Sequence, residues 1–192
     1  MQDTFRHKGL RKKLVDVLIN KGIKNKHVLN AINSVPRHLF LDNALEKFAY
    51  LDKAFPIGNQ QTISQPYTVA FQTELLSVKA HEKVLEIGTG SGYFTAIFSR
   101  LSRKVYTIEN FKTLYVLANN NFKKLKLTNI KSKCEVGLDG WSEVSPFDKI
   151  FISSVINQIN DDLIKQININ GKFIFPTLAP SGVKILQLFK VD

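Results

Sequence analysis

The stretch Lys83–Phe98, KVLEIGTGSGYFTAIF, sets a short apolar run directly against three glycines. An apolar run of this length bounded by glycine reads as a buried strand, and the residues from Tyr93 to Leu101 read as the helix that follows. A strand that ends in a glycine turn and opens a helix is a common nucleotide-binding arrangement. The spacing Gly88-x-Gly90-x-Gly92 is not the G-x-G-x-x-G of dinucleotide sites, so the ligand class must come from other residues.

Downstream the alternation continues. KVYTIE is a second strand, Phe111–Leu125 a lysine-rich amphipathic helix, and NIKSKCEV a third strand. DKIFISS (148–154) is a fourth strand, Asp161–Ile169 a helix stopped by Gly171, KFIFP a fifth strand ended by Pro176, and KILQLFKV a last strand. Repeated strand–helix units with short connections predict an α/β fold, a mostly parallel sheet with helices on both faces.

Upstream, Leu10, Leu14, Val17 and Leu18 recur at helical spacing before Gly22, and Val28, Leu29 and Ile32 repeat the pattern before Pro36. Asn43–Phe48 is a third short helix. Together they form an expected N-terminal helical cap over residues 1–50, packed on the rest of a single domain, 1–192. Tyr50–Pro66 lacks periodicity and reads as an ordered loop. Pro66 then opens a helix whose buried stripe is Ala70, Phe71, Leu75 and Leu76.

Composition narrows the setting. No apolar run approaches the roughly 20 residues that span a bilayer, and no apolar segment follows the basic N-terminus as a secretory signal requires. A single cysteine, Cys134, has no internal disulfide partner, so a reducing cytoplasm is the expected location. Lys and Arg number 27 against 16 acidic residues, a net charge of +11, but they are scattered in short groups rather than gathered in one block. A solvated basic surface accounts for that. His7, His27, His38 and His81 are widely spaced and suggest no metal site.

In such sheets the ligand lies beyond the C-terminal strand ends. Gly88 ends the first strand, while Gly90 and Gly92, with Thr89 between the first two glycines, allow close backbone approach. Glu109, at the end of the second strand, can accept hydrogen bonds from both ribose hydroxyls. A glycine turn paired with such an acid suits a nucleoside, and does not separate a nicotinamide dinucleotide from S-adenosyl-L-methionine. Glu86 within the strand end favours the latter, because a cationic sulfonium with an amino-acid tail tolerates a nearby carboxylate that a pyrophosphate does not. Glu86 as a satisfied polar group of the strand end is the competing reading.

Three segments carry a family resemblance: VPRHLF (35–40), AFPIGNQQTISQPYTVAFQTELL (54–76) and KVLEIGTGSGYFTA (83–96). They resemble the protein-L-isoaspartate O-methyltransferases, from about Gly9 to the last strand. TISQPY is the most specific motif, since the glycine turn is shared by many methyltransferases. The resemblance implies a Rossmann-like class I methyltransferase that uses S-adenosyl-L-methionine to methylate the α-carboxyl of L-isoaspartyl residues in damaged proteins, initiating repair. It makes Ser64 the active-site residue, with Thr62, Ile63 and Gln65 beside it in the substrate loop. It assigns Gly88, Gly90, Gly92 and Glu109 to the cofactor, beside Glu86 and Thr89 taken from the turn itself, and Val136 and Gly137 to its adenine side.

The sequence departs from the family at three places, one of them near the end, where the family's IPVG becomes Phe175-Pro176-Thr177-Leu178. The central acid of the family's G-D-G falls on Val136, with Asp139 the acid next in line if the register shifts. The small-residue run after the fourth strand is replaced by Ser153-Ser154-Val155-Ile156-Asn157. A catalytically weakened or non-catalytic protein that keeps the fold is therefore one alternative. A nucleic-acid methyltransferase is the other; ISSVI lacks the N/D-P-P-Y pattern of flipped-base amine methylases, so nucleic acid is not the expected partner. Isoaspartyl proteins are the expected partners, with no membrane association and a monomeric chain.

Overall fold

A computed structural model describes residues 2–191. Helix α1 (Phe5–Asn20) starts at Thr4, whose hydroxyl accepts the His7 amide, and α2 (Lys26–Ser34) starts at Asn25, whose side chain accepts the His27 and Val28 amides. Each cap satisfies amides that the first helical turn leaves open. Two 3-10 turns, Arg37–Phe40 and Asn43–Phe48, lead to a hairpin of β1 (Phe55–Gly58) and β2 (Gln61–Ile63). Helix α3 (Pro66–Leu76) follows, with Pro66 in its first turn.

The alternating segment then gives β3 (Lys83–Ile87), α4 (Tyr93–Leu101), β4 (Lys104–Glu109), α5 (Lys112–Lys124), β5 (Ile130–Cys134), β6 (Phe147–Ile152), α6 (Asp161–Ile164), β7 (Ile167–Leu178) and β8 (Lys184–Lys190). The main sheet has the order β5-β4-β3-β6-β7-β8, parallel except for the β7–β8 pair. The order in which strands are added reverses between β3 and β6, and the register aligns Ile87 with Ile108 and Ile152 there. That level edge is the floor of the site described below.

Period-two alternation sends Val84 and Phe151 to one face, and Leu85, Ile87, Ile150 and Ile152 to the other. The first face shares its apolar cluster with Leu18, Ile32, Val69, Leu76, Ile97 and Phe98, so α1 to α4 and the sheet enclose one core. Complete burial of Leu18 or Ile32 contributes roughly 1.5–3 kcal/mol each, which fixes the N-terminal helices to the sheet.

Several expectations change. Asn43–Phe48 is a 3-10 helix, and within Tyr50–Pro66 the chain forms the β1–β2 hairpin, turning through Asn59 and Gln60 at φ 50° and 58°. Positive φ at both central residues matches the right-handed strand twist, but without glycine at those positions the sequence carries no hairpin signal. The helix expected over Asp161–Ile169 ends at Ile164, and Gly171 lies inside β7 rather than at a helix stop. There β6 and β7 lose register between Phe147 and Lys149, so the ININ run bulges. The fifth strand also runs past Pro176, which lies beyond the last β6 pair, Phe151–Ile174, and faces only β8. Finally, Val17 and Phe71 point outward, whereas Val69 and Thr73 are buried.

Candidate active site

A cavity of about 690 Å³ opens over the C-terminal ends of β3, β4 and β6. Its walls include Ile87, Gly88, Thr89 and Gly90 on one side, Glu109, Phe111, Val136 and Gly137 on a second, and Thr62, Ile63 and Ser64 on a third. The structure thus brings the glycine turn and the TISQP loop to one space, although they are far apart in sequence.

Glu109 is the anchor of the turn. It is 4% exposed, its Oε2 accepts the Gly90 amide at 2.7 Å and its Oε1 accepts the Phe111 amide at 2.9 Å. Each oxygen retains a lone pair for a further donor. The Gly88 and Thr89 amides both donate to the Ile108 carbonyl, at 2.8 and 3.2 Å. Three consecutive amides, Gly88 to Gly90, are therefore spent inside the protein. A phosphate cradle needs such amides free. This turn instead offers a fixed carboxylate and a close-fitting backbone, which fits a nucleoside linked to a cation.

The glycines differ in role. A Cβ on Gly88 would lie 2.1 Å from Ser153 Oγ, which donates to the Gly88 carbonyl at 2.9 Å. A Cβ on Gly92 would lie 2.5 Å from the Phe122 ring, so Gly92 serves the packing of α4 on α5 and does not line the cavity. Gly90, at φ 58°, meets only the end of Ile57 at 3.3 Å.

Glu86 is also away from the cavity. It is fully buried, and its Oε2 accepts from Thr95 Oγ1 and, at 2.7 Å, from Thr107 Oγ1. Thr107 in turn bonds Thr89 Oγ1 at 2.6 Å, so a hydroxyl chain runs from the cavity wall to Glu86. Burial pushes the Glu86 carboxyl up to about 8, against the lowering effect of the two threonines. At neutral pH it is mostly a neutral acid.

The acceptor side is held from outside. Gln65 is the N-cap position of α3 but makes no side-chain cap and does not line the cavity. Asp52 supplies the cap instead, its Oδ1 accepting the Tyr67 amide at 2.7 Å. Ser64 is relieved of capping, and its half-buried hydroxyl has no protein partner among the described residues. Asp52, Phe111 and Ser153 received no site role from the sequence; Asp52 has no motif around it, and the other two act through a backbone amide and a backbone carbonyl. Asp139 lies outside the cavity wall and meets Asn160 Nδ2 at 3.2 Å.

Among the described residues, one cluster has the makings of a metal site: ligand atoms of Asp3, His7 and His38 lie within 4.8 Å of one another. Those atoms are largely engaged. Arg11 donates to both Asp3 oxygens at 3.0 Å, while His7 Nε2 meets Glu46 at 2.9 Å and its Nδ1 accepts the Thr4 amide at 3.2 Å. Burial, with an electrostatic contribution from the neighbouring His7, pushes His38 down to about 4, so it is neutral at pH 7 and packs with Tyr50.

Comparison with known proteins decides the family. The family model described as protein-L-isoaspartate(D-aspartate) O-methyltransferase matches residues 9–191. This chain belongs to that family. It is 47% identical over 189 residues to the protein-L-isoaspartate O-methyltransferase of Christiangramia forsetii, covering 98% of this chain and 88% of the relative. The Flavobacterium johnsoniae protein of the same name is 48% identical over 176 residues, covering 92% and 83%. A solved protein-L-isoaspartate O-methyltransferase superposes with a TM-score of 0.87 at 29% identity, over 95% of this chain and 60% of that one. A Plasmodium falciparum structure described as a putative member, in complex with S-adenosyl-L-homocysteine, shares the fold at a TM-score of 0.84, with 24% identity over 95% and 90%. The architecture is thus the class I methyltransferase fold of the family, with β8 making its sheet mixed. No helix among the described residues is long and apolar enough to cross a membrane.

Proposed function

We propose that the protein transfers a methyl group from S-adenosyl-L-methionine to the α-carboxyl of L-isoaspartyl residues in damaged proteins. The observation that carries this reading is the shared cavity: a glycine turn whose amides are spent on Ile108 and Glu109 forms one wall, and the loop bearing the unpartnered Ser64 hydroxyl forms another. In this reading Glu109 receives the ribose hydroxyls, Gly88 to Gly90 shape the donor's path, and Val136 and Gly137 border the adenine. Thr62, Ile63 and Ser64 face the acceptor, with Gln65 shaping the start of α3. Gly92 and Glu86 support the turn from behind.

When bound, S-adenosyl-L-methionine supplies an electrophilic methyl on a sulfonium. The acceptor carboxylate is ionised well below pH 7, so the chain needs no strong general base. Its work is placement, which is worth several orders of magnitude in rate when the reacting atoms are held in line. Ser64 donates a hydrogen bond that orients the acceptor carboxylate, and does not act as a covalent nucleophile. Lys184 is the only cation lining the cavity among the described residues, and complements an anionic acceptor.

The reading extends to context. Residues 1–192 act as one unit with 1–50 as its helical cap, the protein works in the cytoplasm as a monomer, and nucleic acid is not its partner. Incubation with labelled S-adenosyl-L-methionine and matched peptides containing Asp or isoAsp tests the activity. Label confined to the isoAsp peptide is expected. Label on neither peptide, with donor bound, would overturn the acceptor assignment.

A further inference from the structure

Arg37 is completely buried and, among the described residues, has no carboxylate within ion-pairing distance. Burial lowers its pKa, and a buried cation without an acid is costly. Its compensation is three main-chain carbonyls. Nε donates to Ala49 at 2.9 Å, Nη2 to Lys53 at 3.0 Å and Nη1 to Ser64 at 3.0 Å. Lys53 precedes the β1–β2 hairpin and Ser64 follows it, so one guanidinium closes the neck of the hairpin. The same group lies over the Tyr93 ring, 5.2 Å from its centroid, and Tyr93 is the first residue of α4 after the glycine turn.

We propose that Arg37 is a positioning residue for methyl transfer: it fixes Ser64 relative to the glycine turn by clasping the hairpin neck against Tyr93. Only a planar fork of several N–H groups can reach three carbonyls from separate segments; a lysine ammonium is a single point. Asp52 holds the other end of the same short loop through the Tyr67 amide. Between these two holds the Ser64 side chain is left free for the acceptor. The inference rests on the role given to Ser64 above.

A double-mutant cycle tests it, using the full chain, S-adenosyl-L-methionine and an isoaspartyl peptide. Arg37→Lys is expected to lower kcat by about tenfold or more, while cofactor Kd stays within about threefold. In a Ser64→Ala background the same change is expected to cost less than about twofold, because the group it positions is gone. Equal losses in both backgrounds would overturn the clasp and leave Arg37 a merely structural residue. Full activity of Ser64→Ala alone would instead sink the role of Ser64, and this proposal with it. Should Arg37→Lys fail to fold, Asp52→Ala reads the same coupling from the other end of the loop. Its kcat loss is expected to vanish in the Ser64→Ala background, and an additive loss there overturns the proposal.

Discussion

Glu109 and Gly90 are joined at 2.7 Å, carboxylate to amide, across the C-terminal ends of two adjacent strands. The bond makes the turn and this acid one object, since the Phe111 amide holds the other oxygen of the same carboxylate. A hydrogen bond involving a charged group contributes about 1.5–3 kcal/mol, and in the proposed site Glu109 serves both the turn and the nucleoside. Glu109→Ala is expected to weaken S-adenosyl-L-methionine binding by about 10–100-fold, with Glu109→Gln intermediate. Titration calorimetry reads this directly, and unchanged affinity in the alanine variant removes Glu109 from the cofactor site.

The three glycines should respond differently to alanine. Gly92→Ala brings a methyl against the Phe122 ring at φ 89°, and Gly88→Ala against Ser153 at φ 94°. Both are expected to lower thermal stability, Gly92→Ala more, since its neighbour is a packed ring rather than a rotatable hydroxyl. Gly90→Ala meets only the tip of Ile57 in the left-handed region, at a cost of about 1–2 kcal/mol. Its main effect is expected on cofactor Kd. Thermal unfolding and calorimetry on the three variants separate the packing effect from the cofactor effect at each position. Equal loss of Tm at all three positions would contradict the division.

Much of this was legible in the sequence because local pattern and ligand chemistry coincide there. Gly88 and Gly90 follow β3 and Glu109 ends β4, two strands the sequence pattern marks out, and the parallel sheet follows from the repetition of such units. Glu86 and Gly92 stand in the same motif yet face away from the cavity, a distinction set by α5 and by Thr95 and Thr107, which no spacing rule contains. The hairpin escaped notice because Asn59-Gln60 takes a conformation that glycine usually advertises. Arg37 lies in VPRHLF, a segment legible as family sequence, but its purpose depends on carbonyls of Ala49, Lys53 and Ser64, and carbonyls carry no sequence identity.

Glu86 makes a pH prediction with a definite sign. Its carboxyl is raised from an ordinary 4.5 to about 8 by burial. Between those values the folded state binds more protons than the unfolded state, so this group's contribution to stability is intact below about 4.5. It is lost progressively as pH rises through about 8. Glu86→Gln, which cannot ionise, is expected to flatten that decline. Above pH 8 it should be more stable than the parent, on the order of 1–3 kcal/mol. Urea unfolding across pH 5 to about 9 measures it. A parent and variant with parallel pH profiles would show that Glu86 titrates normally.

Val136 sits in the cavity wall at 66% exposure, beside Gly137, where a Cβ would lie 2.8 and 3.1 Å from the Ile87 and Ile108 side chains. A valine there offers apolar contact and no acceptor, whereas an adenine edge presents an exocyclic amine that needs one. In the proposed site, Val136→Asp supplies the acceptor without burying a charge, because the position is open to solvent. Net gains from one hydrogen bond are about 0.5–1.5 kcal/mol, so cofactor affinity is expected to rise about 2–10-fold. The gain should be confined to adenine: a donor analogue carrying unsubstituted purine, with hydrogen in place of the amine, is expected to bind Val136→Asp no better than the parent. Equal improvement for both analogues would mean that the new charge acts on the sulfonium through space, and Val136 would lose its place beside the adenine.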